Sequence, residues 1–70
     1  MVDRAMLLRS LAHAADQIET GVRFIAKQRG IIDQLNADGR DTRDAREVLA
    51  HLEKIHATNM TEHKRIMKEL

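Results

Sequence analysis

The chain contains no cysteine, no proline, no tryptophan and no tyrosine, and Phe24 is its only aromatic residue. Each absence closes off a class of protein. Without cysteine there is no disulfide and no thiolate metal site, so a small fold must find another brace. The same absence fits a reducing compartment. With Phe24 alone there is no series of aromatic platforms on which nucleic-acid bases could stack. Lysine and arginine number 12 against 11 aspartates and glutamates, and the signs alternate along the chain, so no basic stripe for nucleic acid forms. The densest basic stretch, Lys64, Arg65 and Lys68, reads as a solvated helix face. No apolar run is long enough to cross a bilayer. Ala5-Met6-Leu7-Leu8 followed by Ala12-His13-Ala14 has a faint look of an export signal. Arg9 interrupts it, however, and the helical pattern runs straight through the would-be cut. A cytoplasmic protein is expected, with neither nucleic acid nor membrane as partner.

What remains is a chain of helix formers: Ala, Leu, Arg, Glu, Lys, Gln and Met. The first apolar series runs Leu7, Leu11, Ala14, Ile18, Val22, Ile25, Ile32, Leu35, in steps of three and four with one gap at Arg29. The stripe keeps its phase past Gly21 and Gly30. One helix is therefore expected from about residue 4 to 37, softened locally by those glycines. Gly39 can take the left-handed conformation that closes a helix. Asp41 or Thr42 can then accept a hydrogen bond from a free backbone N–H and start the next helix, with Asp44 completing a capping box. A second series, Ala45, Val48, Leu49, Leu52, Ile55, Met60, Ile66, Met67, Leu70, predicts a helix over 42–69. So short a turn forces the helices antiparallel. At ~1.5 Å rise per residue they would be about 50 and 40 Å long, a single hairpin domain spanning residues 1–70 with no body to enclose a substrate.

Both helices carry more apolar surface than one neighbour can cover. Beside Leu11, Ile18, Ile25 and Ile32, the first helix has a facet of Phe24, Ile31 and Leu35, with Leu8 and Ala15 widening the other edge. The second has Val48, Ile55 and Ile66 on one flank and Leu49, Met60 and Met67 on the other. Each large side chain left wet forfeits roughly 1.5–3 kcal/mol of burial. Two hairpins packed face to face are expected to cover both facets, giving a homodimeric four-helix bundle. The interface is read as Leu11, Ile18, Phe24, Ile25, Ile31, Ile32, Leu35, Val48, Leu52, Ile55, Met60 and Ile66.

Arg29, Asn36, His56, Asn59 and His63 project onto or near the apolar stripes, where polar groups trade stability for a defined register. Hairpin geometry about a turn near Arg40 predicts an Arg29–Glu53 pair and places His63 near Ile18. Glu53-Lys54-Ile55-His56 has the Glu-x-x-His spacing of di-iron helical bundles. Yet Glu53 lies at the edge of the stripe, and Glu19 and Glu62 point sideways, so the donor set for a metal is incomplete. No metal or other cofactor is expected. His56 and His63 are read as core-edge histidines that could make association pH-sensitive, since imidazole changes charge near neutrality. Enzymatic readings find no footing: Ser10 is the only serine, without a His–acid pair in reach, and no glycine-rich loop exists.

The stretch Ile25-Ala26-Lys27-Gln28-Arg29-Gly30-Ile31-Ile32-Asp33-Gln34-Leu35, then Asp38-Gly39-Arg40-Asp41-Thr42 and Ala45-x-x-x-Leu49, resembles a group of small proteobacterial proteins of unassigned function. In them an Ile-Ala-x-Gln-Arg helix leads through Asp-Gly-x-Asp-Thr into a second helix ending in Leu-Glu, here Leu52-Glu53. The match covers roughly residues 18 to 53. It implies a helical hairpin, implies that Gln28, Arg29 and the turn matter, and implies no activity. The expected function is that of a non-enzymatic structural or interaction protein that self-associates. The alternatives are a small adaptor or regulator docking a helical partner protein, and a metal-binding bundle centred on Glu53 and His56.

Overall fold

The computed structural model describes residues 3–70 and contains two helices, α1 (Arg4–Ala37) and α2 (Arg43–Glu69). Both bounds of α1 fall where the periodicity places them, and α2 starts one residue later than expected. Asp3 caps α1, its carboxylate accepting from the Ala5 backbone N–H at 3.0 Å. At the other end the Arg40 N–H donates to the Leu35 carbonyl at 2.8 Å and the Gly39 N–H to the Asn36 carbonyl at 3.1 Å. This is the paired closure of a Schellman motif, and it requires the left-handed backbone that Gly39 adopts at φ 69°.

The start of α2 departs from expectation in its chemistry. Thr42 makes no capping hydrogen bond to the backbone; its hydroxyl accepts from the Arg46 side chain at 2.9 Å instead. Asp41 satisfies the free backbone donor, its carboxylate accepting the Arg43 N–H at 2.9 Å and the Arg43 guanidinium as well. Asp44 sits in the first turn, where it complements the helix dipole, but among the described residues no capping-box hydrogen bond from it occurs. Because Gly39 alone needs left-handed backbone and Gly30 faces open space, the two glycines should respond oppositely to alanine. Gly39→Ala is expected to cost about 1–2 kcal/mol. Gly30→Ala should gain about 0.5–1 kcal/mol from helix propensity. Urea unfolding of the two variants at one protein concentration checks the pair of signs.

The helices lie against each other as a rod of 56 × 14 × 12 Å. Its radius of gyration is 16.2 Å, against about 11 Å for a compact domain of this length. The residues withdrawn from water form an unbroken series of three- and four-residue steps. On α1 these are Leu7, Leu11, Ala14, Ile18, Gly21, Ile25, Gln28, Ile32 and Leu35, with Thr20 the one half-buried residue off the series. On α2 and the residue that precedes it they are Thr42, Ala45, Leu49, Leu52, His56, Asn59, His63 and Ile66. That is the seam along which the two helices of the hairpin meet.

Several expectations change on this point. Gly21, not Val22, occupies the seam, and Val22 is exposed. Gln28 fills the gap assigned to Arg29, donating its side-chain amide to the Ala45 carbonyl across the seam at 2.9 Å. Arg29 stands outside the seam and pairs with Glu53 at 3.4 Å, as the hairpin geometry requires. Asn36 is exposed. In α2, Val48, Ile55, Met60 and Met67 lie off the seam, whereas His56, Asn59 and His63 lie in it, where their projection onto the apolar stripe places them.

Candidate functional site

The functional question is what this hairpin leaves uncovered. Among the described residues only Leu7, Ala14, Ile25, Ile32 and Ile66 are buried, whereas ten large apolar side chains are exposed, including Phe24 at 54% and Met67 at 52%. The accessible surface is 5566 Å², against about 4,450 Å² for a compact monomer of the same 8.0 kDa mass. The chain therefore keeps wet what most folded proteins hide.

At 100° per residue, positions next to the seam fall on opposite sides of the hairpin's plane. One flank carries Leu8, Ala12, Ala15, Val22 and Ala26 on α1 with Ala57, Met60 and Met67 on α2, all exposed. A shallow groove of about 420 Å³ runs along it between Val22, Ala26, Ala57 and Met60, ending at the Arg29–Glu53 pair. The other flank carries Phe24, Ile31, Val48 and Ile55, also exposed. Of the twelve predicted interface residues, Leu11, Ile18, Ile25, Ile32, Leu35, Leu52 and Ile66 are thus spent on the seam inside one chain. Phe24, Ile31, Val48, Ile55 and Met60 remain available. The Phe24–Ile31 flank and the Val22–Met60 flank point in opposite directions, so a single pairing of two hairpins would cover one of them.

The seam's polar middle has its own fit. A Cβ placed on Gly21 would stand 2.7 Å from Nδ1 of His56, closer than atoms pack. The missing side chain is what lets the imidazole sit against α1. That Nδ1 is buried and makes no hydrogen bond, a condition that costs roughly 1–3 kcal/mol. Stepping outward from the Gly21–His56 contact along both helices brings Ala14 opposite His63, so each imidazole faces a small residue. Glu53 points to the flank and His56 into the seam, which separates the two residues of the Glu-x-x-His step. Among the described residues no group of three or more His, Cys, Asp or Glu could hold a metal ion.

A larger open groove, about 700 Å³, lies toward the free ends of the helices and is lined by Arg9, Ser10, His13, Gln17, Asn59 and Glu62 among others. It brings the only serine beside a histidine and a glutamate, which the sequence reading did not foresee. No hydrogen bond among the described residues joins these three. Glu62 is held instead by Arg65, which also reaches Glu69 at 3.1 Å. The Arg65 hydrogen bond lowers the Glu62 carboxyl below its usual range, and Glu62 in turn raises Arg65. Hydrogen bonds from the Arg43 side chain and backbone likewise lower Asp41. A nucleophile needs a base within hydrogen-bond reach, and here the acid is engaged elsewhere. No helix among the described residues is long and apolar enough to cross a membrane. Comparison with family models, with curated proteins and with solved structures gives no match.

Proposed function

We propose that this chain is a non-enzymatic interaction protein of the cytoplasm that works by associating with a second copy of itself into a four-helix bundle. The observation that carries this reading is the imbalance, among the described residues, between five buried ones and ten exposed large apolar ones. Burial of apolar side chains is the dominant favourable term in association, and the flanks offer it in continuous strips along rigid helices. A seam interrupted by Gly21, Gln28, His56, Asn59 and His63 gives a lone hairpin little stability of its own. Covering a flank supplies what the seam lacks. The resemblance to small two-helix proteins, which rests on the turn and on Gln28-Arg29, is compatible with this role.

A second reading, docking of a helical partner protein, draws on the flank that one pairing leaves open, with Phe24 and Ile31 as anchors. Sedimentation equilibrium combined with circular dichroism separates the two. Self-association predicts a dimer or larger species at micromolar concentration, with a melting midpoint that rises with protein concentration. A monomer that is only partly helical would transfer the argument to the docking role. A stably folded, strictly monomeric hairpin would overturn both.

A further inference from the structure

We infer that the second copy sits on the flank bearing the alanines and methionines, with both turns at the same end, so that α1 of each chain lies on α2 of the other. The inference rests on self-association and adds the face and the direction.

Two stacked hairpins related by a two-fold axis have two arrangements. With the axis along the helices, the turns coincide and α1 meets α2 of the second copy at equal heights. With the axis across them, the turns point apart and α1 meets α1. On this flank the apolar side chains occupy the half toward the free ends, from Leu8 and Met67 to Val22 and Met60. The half toward the turn is charged: Arg29 with Glu53, then Asp33 and Arg46, which line one shallow groove. Crosswise pairing at full length would lay the apolar half of one chain on the charged half of the other. Sliding the chains to match apolar with apolar would give up much of the overlap.

The area decides against sliding. A face of 56 × 14 Å measures roughly 780 Å² in outline, close to the ~800 Å² that each partner loses in a standard stable interface. Only full overlap uses it all. Lengthwise pairing keeps that overlap and matches like with like. It also sets Glu19, Arg29 and Asp33 of one chain against Lys64, Glu53 and Arg46 of the other, three meetings of opposite sign. Ala12 and Ala15 leave room for the second copy's Met67 to enter between the helices.

The Phe24 flank lacks that complementarity. Lengthwise pairing there sets Asp38 against Asp41. Crosswise pairing centred on its four apolar residues sets Lys27 against Lys27 at the axis. Like charges facing each other across an interface select against that partner.

The absence of cysteine makes the test direct. Arg40→Cys carrying a nitroxide places a label at the turn. Coincident turns should give a label separation of about 20–30 Å, set by helix spacing and label length. Opposed turns should give about 50 Å, set by the length of the helices. In parallel, Ala15→Arg should weaken association by at least about tenfold by burying an unpaired charge, while Phe24→Arg should leave it unchanged. A dimer with the long separation, or one broken by Phe24→Arg and not by Ala15→Arg, overturns the assignment of face and direction while self-association stands. A strict monomer at high micromolar concentration overturns both.

Discussion

Leucine in place of Gly21 is expected to cost the hairpin about 2–3 kcal/mol, the upper range for forcing extra atoms into a packed seam. The loss runs against helix propensity, because glycine inside a helix is about 1 kcal/mol worse than alanine. The clash prevails because even a single Cβ at this position would lie 2.7 Å from Nδ1 and 3.5 Å from Cγ of His56. The imidazole would have to leave the seam, and a leucine drives further into the same space. The same geometry predicts a reversal. In a His56→Ala background the obstacle is gone, so Gly21→Ala should become stabilising by about 1 kcal/mol. Urea unfolding of the four corners of this cycle at one protein concentration measures the coupling. If Gly21→Ala has the same effect with and without His56, the notch does not exist to seat the histidine.

Two adjacent isoleucines should behave as different residues. Ile32 is 5% exposed and Ile31 43%. Ile32→Ala empties a place between the helices near Leu49, and the expected loss is about 2–4 kcal/mol, a transfer term plus a cavity term. Ile31→Ala removes atoms already in water, on the flank that the proposed dimer does not use, and should stay within about 0.5 kcal/mol. Equal losses at the two positions would mean that the Phe24–Ile31 flank is covered in solution, which points to the other face of the hairpin as the interface.

The elements and the turn were legible because their signals are local. Gly39 stops α1 through its own backbone freedom, and Asp41 caps through its own carboxylate. The Arg29–Glu53 pair followed from hairpin geometry alone. The seam was harder to read because the apolar stripe is broad. Val22 and Gly21 are neighbours on the helix, and hydrophobicity favours the valine, whereas the phase set by Ile18 and Ile25 puts the glycine inward. In α2 the apolar Ile55, Met60 and Met67 straddle the polar His56, Asn59 and His63, so counting hydrophobic residues selects the flanks. One signal did mark the seam: strict alternation of three- and four-residue steps runs unbroken through Leu49, Leu52, His56, Asn59, His63 and Ile66. The close fit of Gly21 to His56 has no sequence signature, since it depends on the register between two helices.

The interior of this rod is not continuous. Leu7, Leu11, Ala14 and Ile66 form one cluster near the free ends, Ile25 and Ile32 hold the stretch beside the turn, and between them stands a waist of imidazole and amide groups. Cooperative units in proteins follow the distribution of their apolar contacts. The free ends are accordingly clasped by their own apolar cluster, in which Ile66 is only 4% exposed, so the rod is held at both ends and is polar in between.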